Sequence, residues 1–289
     1  MADATHDRVK ELTQQLETGI QDLYASARYG EYLAMLSKFH KYSYGNVMLI
    51  MMQCPHASMV AGFQTWKKAF QRSVKKGERG IRVLAPCPVR RKLETPANPA
   101  EETEDIYIPY FKAVTVFDIS QTEGKELPAQ IVTDLTGNVD GYNNLFNRLV
   151  EYSGLPVIFE PLPDGYKGSF YREEQRIALA PGMSQTQTIK TLVHEIAHSK
   201  LHNDGEKRDR NVKEVEAESV AYVVCCRLGI DTSDYSFGYV AGWSKNKALP
   251  ELKNSLEVIR STAAGMIDAI SPERETAPPE KKAQKICTR

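Results

Sequence analysis

Thr191-Leu-Val-His-Glu-Ile-Ala-His-Ser-Lys-Leu-His202 decides how the rest of this chain is read. Leu192, Val193, Ile196, Ala197 and Leu201 recur at helical spacing and give an apolar stripe for burial. His194 and His198 are four residues apart. On a helix they share one face, about 6 Å apart along the axis. Two imidazoles at that separation can converge on one Zn²⁺ at about 2.0–2.1 Å each. Glu195 follows the first histidine at a helical angle that leaves it beside the ion, where a carboxylate serves as general base toward a metal-bound water. The H-E-x-x-H pattern also occurs by chance in unrelated helices. The reading therefore depends on a third protein ligand elsewhere in the chain.

A second helical run beginning at Lys213-Glu-Val-Glu-Ala-Glu218 offers one. Glu214 and Glu218 are four apart and share a face. One can bind the ion while the other accepts from the far nitrogen of a ligating histidine, fixing its tautomer. The bland alternative is a solvated acidic face. The order H-E-x-x-H then E-x-x-x-E resembles the gluzincin pattern, and that resemblance makes Glu214 the ligand and Glu218 the supporting carboxylate. His202 continues the histidine stripe, but a continuous helix carries it about 12 Å along the axis from His194. Metzincins break their helix with a glycine before the third histidine, and Ser199-Lys200-Leu201 has none. His202 is therefore read as a helix-end residue or one that supports a ligand, with direct ligation of the ion as the alternative.

A length of 289 residues predicts two domains, each with its own core. With 42% hydrophobic and 26% charged residues and no net charge, any nucleic-acid surface must come from local clustering. The cysteines (Cys54, Cys87, Cys225, Cys226, Cys287) are odd in number and form no C-x-x-C pair. That usage fits a reducing compartment. The N-terminal sequence has neither the basic nor the apolar region of a signal peptide. The apolar run Val47-Met-Leu-Ile-Met-Met52 falls far short of the roughly 20 residues a membrane span needs. A cytoplasmic protein without a membrane partner is expected.

Between Gly62 and Lys92 ten Lys/Arg stand against one Glu. Lys67, Lys76, Arg79 and Arg82 interleave there with Trp66, downstream of Tyr42, Tyr44 and Asn46. Basic residues among aromatics suit a single-stranded nucleic acid, with charges on phosphates and rings stacked on bases. The competing reading makes the lysines a solvated face and Trp66 a core residue. The stretch Pro88–Asp105 turns from basic to acidic without apolar period and reads as a loop joining two strands. Tyr107 to Phe117 reads as the returning strand. In the second half a helix over Tyr142–Ser153 precedes a strand over Pro156–Glu160, a hairpin of Gly168–Arg172 with Arg176–Ala180, and the histidine helix. Arg176–Ala180 is taken as an edge strand that could hold an extended peptide. Tyr171, Tyr222, Tyr235 and Tyr239 are the candidates for an oxyanion donor. Leu249 to Ile270 reads as a final helix, and residues after Ser271 as a disordered tail.

Two groups of motifs resemble one family. Tyr42-Ser-Tyr-Gly-Asn46, Phe63-Gln-Thr-Trp66, Lys76-Gly-Glu-Arg-Gly-Ile81 and Phe117-Asp-Ile-Ser-Gln-Thr-Glu-Gly124 are similar to the N-terminal single-stranded-DNA-binding domain of ArdC-type antirestriction proteins. Ile177-Ala-Leu-Ala180, the histidine motif and Glu214-Val-Glu-Ala-Glu218 are similar to their C-terminal zincin-like metallopeptidase domain. The resemblance implies an α+β fold in two domains, 1–128 and 139–271, with a tail over 272–289. It implies one Zn²⁺ held by His194, His198 and Glu214, single-stranded DNA and a protein substrate as partners, and the protection of a mobile element's incoming DNA. Two classes of function follow: a DNA-tethered zinc peptidase using Glu195, or a non-catalytic DNA-protection protein with a structural zinc.

Overall fold

A computed structural model of the chain describes residues 2–26, 28–87, 89–92, 105–108, 110–127, 139–205, 208–235, 237, 240, 244 and 247–271. Most of the expected loop (93–104), the linker (128–138) and the tail (272–289) lie outside the described residues. The architecture is α+β and two-domain. The N-terminal half runs α1 (Ala2–Ala25), α2 (Tyr29–Lys38), α3 (Tyr44–Gln53), β1 (Val60–Gly62), α4 (Phe63–Lys68), β2 (Arg72–Val74), β3 (Ile81–Pro86), β4 (Val89–Lys92), β5 (Asp105–Ile108), β6 (Phe111–Asp118) and β7 (Thr122–Gly124). Strands β1, β6 and β3 form an antiparallel sheet in that order, while β2 pairs β7 and β4 pairs β5. The single returning strand expected over Tyr107–Phe117 is two strands, β5 and β6.

Strand β3 lies at an edge of its sheet, which leaves backbone groups on its outer side to be paired. Helix α3 supplies the partners. The Asn46 amide donates to Leu84 O and accepts from Leu84 N, both at 2.8 Å. One turn pair further along, Gln53 does the same for Arg82, at 2.9 Å each way. Two helical amides thus close the strand edge and fix α3 against the sheet. Behind them Trp66 is fully buried, and its indole N–H donates to Phe117 O at 2.8 Å.

The C-terminal half runs α5 (Val139–Ser153), β8 (Val157–Phe159), β9 (Gly168–Tyr171), β10 (Arg176–Leu179), α6 (Gln185–Leu201), α7 (Arg210–Arg227) and α8 (Leu249–Ile270). Gly154 and Gly229 close α5 and α7 with φ of +68° and +70°, the left-handed conformation that favours glycine at a helix end. The sheet order is β8-β10-β9, with β8 parallel and β9 antiparallel to β10.

The halves do not have separate cores, contrary to the expectation from length. α2 packs on α7, and α1 on α8. Buried residues of both halves form one continuous cluster. Polar contacts cross the junction inside it: Tyr29 Oη lies 3.0 Å from Ser219 Oγ, and Tyr24 donates to Leu252 O. No helix among the described residues is long and apolar enough to cross a membrane.

Candidate metal centre

Helix α6 begins at Ser184, whose hydroxyl accepts from the Gln187 N–H. Ile189, Leu192, Val193 and Ile196 are at most 1% exposed. At about 1.5–3 kcal/mol each, their burial fixes the rotation of the helix. His194 and His198 are thereby left half-buried on the wall of a cavity of about 830 Å³. Helix α7 is set in the same way. Asp209 caps it by accepting from Asn211 N at 2.8 Å, and Val215, Val220 and Val224 are wholly buried. Its Glu214 then faces the α6 histidines.

The Nε2 atoms of His194 and His198 lie 3.0 Å apart, and Glu214 Oε2 lies 3.6 Å from each. A tetrahedral ion with bonds of about 2.0–2.1 Å separates its donors by about 3.3–3.4 Å, so this triangle could hold a divalent metal ion. The histidines hold the Glu214 carboxyl well below the usual carboxylate range, His194 most strongly. Burial opposes protonation of both rings. For His194 the carboxylates of Glu214, Glu195 and Glu218 outweigh it and raise the pKa. For His198 burial prevails and lowers it.

Glu195 is buried on the same wall. Burial pushes its pKa up to about 7, against the opposing pull of His194 and of a hydrogen bond from the Phe170 N–H. Phe170 belongs to β9, which lies at the sheet edge beside the cavity. Arg176–Ala180 is therefore not the edge strand: β10 is paired on both sides and has no free edge. The open edge next to the site is Gly168–Tyr171.

Glu218 lines the cavity. The carboxylate on the path away from His198 is a different one, Glu216, which sequence reasoning missed. His198 Nδ1 lies 3.0 Å from His202 Nδ1, and His202 Nε2 lies 3.2 Å from Glu216 Oε2. Among the candidate oxyanion donors, Tyr235 lines the cavity, but its hydroxyl faces the buried Cys225 thiol. The Tyr171 ring packs under Arg176, and Tyr222 packs edge-on against Tyr235 and Phe237. Tyr239 lies outside the described residues.

The expected DNA-contact residues divide. Trp66 is sealed in the core, so its faces cannot stack on a base. The Asn46 amide is engaged in closing β3. Tyr42 and Tyr44 are half-buried, and Tyr42 donates to Val60 O. Lys67, Lys76 and Arg79 are exposed, and Arg82 is half-buried. Phe63 is exposed, as is Phe111 on β6, and the Phe63 ring stands edge-on to Phe117 at 6.4 Å.

Residues 2–117 match the family described as the N-terminal domain of anti-restriction factor ArdC. Residues 150–225 match the IrrE N-terminal-like domain of the M78 peptidase type. An uncharacterized protein of Bacillus anthracis, pXO2-81, is 28% identical over 91% of this chain. The chain spans about half of that relative's length, 51%. In fold it resembles the antirestriction protein ArdC of plasmid R388, in both its metal-free and its Mn(II)-bound structure. Each superposes with a TM-score of 0.51 at 23% identity, covering 78% of this chain and 81% or 82% of the other. The chain thus joins an N-terminal domain of the ArdC type to an IrrE-like domain of the M78 peptidase type.

Proposed function

We propose that this protein is a zinc-dependent peptide hydrolase joined to a module that binds single-stranded DNA, and that it acts in antirestriction. The observation that carries the hydrolase reading is the His194–His198–Glu214 triangle with the buried Glu195 carboxylate beside it. Two imidazoles and a carboxylate are a donor set suited to Zn²⁺ that leaves a position for water. A bound Zn²⁺ supplies a Lewis acid that lowers the pKa of its water toward about 7. Glu195 carries out the proton transfer. Its carboxylate takes a proton from the attacking water and returns it to the leaving amine. The Phe170 N–H holds that carboxylate in place. The edge of β9 is available to an extended peptide by strand addition. The R388 protein, whose structure is known with Mn(II), supports a divalent ion at this kind of fold.

The test is Glu195→Gln beside wild type, with metal content, single-stranded-DNA affinity and cleavage of candidate proteins measured together. The expected result is one zinc per chain and unchanged DNA binding in both, with cleavage lost in the variant. Full DNA protection in cells by Glu195→Gln would remove hydrolysis from the mechanism and leave a DNA-binding protein with a structural metal.

A further inference from the structure

His202 closes α6. Its backbone leaves the helix at φ −128° and ψ 21°, while its N–H still donates to His198 O at 2.9 Å. As the residue four after His198 it stands on the same face, with the two ring centroids 5.2 Å apart. Its other nitrogen meets Glu216, and both side chains are almost wholly buried, at 4% and 6% exposed. Val215 and Ala217, the neighbours of Glu216, are fully buried apolar residues. A carboxylate in such a place is costly to desolvate unless its oxygens are paired.

The donor and acceptor roles along this path follow from Glu216. An ionised carboxylate only accepts, so the His202 Nε2 that faces it carries the proton. A neutral imidazole has one N–H, so His202 Nδ1 is a lone pair. The atom 3.0 Å away, His198 Nδ1, must then be the donor. That leaves His198 Nε2 bare, and Nε2 is the atom facing His194 and Glu214. We propose that Glu216, acting through His202, is the positioning residue that fixes the tautomer of His198 and turns its bare Nε2 into the donor triangle. This inference rests on the metal-site reading above. Glu218, four residues from Glu214, is the carboxylate that the resemblance to the gluzincin pattern assigns to such a role. Glu216 does this work from the buried side of α7.

The tautomer can be read directly. The full chain, ¹⁵N-labelled at histidine and freed of metal, is examined by long-range ¹H–¹⁵N NMR at a pH where the rings are neutral. His198 is expected as the Nδ1–H form and His202 as the Nε2–H form. In Glu216→Gln the amide can face His202 either way round, so both rings should show mixed forms. Zinc affinity, measured by competition with a chromophoric chelator, should fall about 10–100-fold. His202→Phe breaks the path at its middle and should weaken zinc by a similar factor. Thermal midpoints show whether each variant is folded. If Glu216→Gln does not fold, His202→Phe and the wild-type spectrum decide. An Nε2–H form of His198 in wild type overturns the inference, as does unchanged zinc affinity in folded variants. Wild type that takes up no zinc while His198 is locked as Nδ1–H would remove the metal reading and leave the tautomer lock standing.

Discussion

A Cβ built on Gly168 would fall 2.5 Å from Thr191 Cγ2 and 2.9 Å from Glu195 Cγ. Strand β9 runs so close to α6 that its backbone packs directly against the Glu195 side chain, the general base of the proposed reaction. Gly168→Ala should therefore push Glu195 away from the Phe170 N–H. Displacements of this size near reacting groups cost about 100-fold in rate, and overpacking costs about 1–3 kcal/mol in stability. Zinc content should not change, since none of the three metal donors is in the contact. Adding Thr191→Ser removes the nearer methyl and should restore part of the lost rate. Wild-type turnover by Gly168→Ala would show that the Glu195 position does not matter to the reaction.

Lys167, Arg172, Arg210 and Lys213 all line the cavity. Their charge should favour peptides with Asp or Glu near the scissile bond. A degenerate peptide library should report that enrichment at low salt and lose much of it at high salt, where exposed charges are screened. Arg210→Glu with Lys213→Glu should reverse the preference. Enrichment of neutral or basic residues would show that the cations do not select substrate.

The Asn46 amide pairs both backbone groups of Leu84. Asn46→Ala leaves a strand N–H and C=O without these partners and should cost about 1–3 kcal/mol in urea unfolding. Asn46→Asp keeps an acceptor for Leu84 N but sets a carboxylate oxygen against Leu84 O, so it should not recover the loss. If Asn46→Ala is as stable as wild type but fails to bind DNA, the amide is a DNA contact after all.

Asp118 is buried, which alone would raise its pKa, but hydrogen bonds from Ser120, Ser58 and Met59 lower it below the ordinary aspartate value. The Ser58 and Met59 N–H groups bond Oδ1 at 2.8 and 3.1 Å, while Ser120 N–H and hydroxyl bond Oδ2 at 3.0 and 2.7 Å. A carboxyl with a depressed folded pKa stabilises fully above its unfolded pKa, about 3.9, and loses that contribution as pH falls through the folded value. Asp118→Asn should lose about 2 kcal/mol or more at pH 7, because its amide donors face the N–H of Ser120. The gap to wild type should close below pH 4. A gap independent of pH would mean that shape, not charge, holds the loop.

The sequence makes some of this legible and hides the rest for physical reasons. His194, Glu195 and His198 can be read as a group because helical spacing alone places side chains on a face, whereas spacing offers Glu214 and Glu218 equally and only the resemblance to the gluzincin pattern chooses Glu214. Glu216 cannot be found this way, because it lies about 200° around the helix from Glu214 and an acidic residue there reads as solvated. Asn46 and Gln53 likewise read as surface polar residues, yet they complete a sheet. Ile177, Ala178 and Leu179 are fully buried, and such a run looks the same in a central strand and at an edge. Strand order, which decides which edge lies open beside the cavity, is a tertiary property. Trp66 among lysines suits both a stacking platform and a core residue, and only its burial separates the two.

That separation moves the expected DNA contact to Phe63. The ring is 49% exposed at the start of α4 and stands edge-on to Phe117. A Cβ on Gly80, at the end of the Lys76–Gly80 turn, would meet the Phe117 ring at 3.0 Å, which places this turn beside the aromatic pair. Lys67 on α4 and Arg79 in the turn are exposed and can follow a phosphate backbone across the ring. Phe63→Ala should cost about 1–3 kcal/mol of single-stranded-DNA affinity through lost stacking, with little change in salt dependence. Lys67→Ala and Arg79→Ala should each lower the slope of log affinity against log salt by about 0.7. Trp66→Phe should lower the unfolding midpoint, because Phe117 O loses its donor, while the folded protein binds DNA as wild type does. Fluorescence anisotropy with a labelled oligonucleotide across a salt series reads all four variants. Full affinity in Phe63→Ala together with lost affinity in folded Trp66→Phe would reverse the assignment and place the DNA surface on the other side of α4.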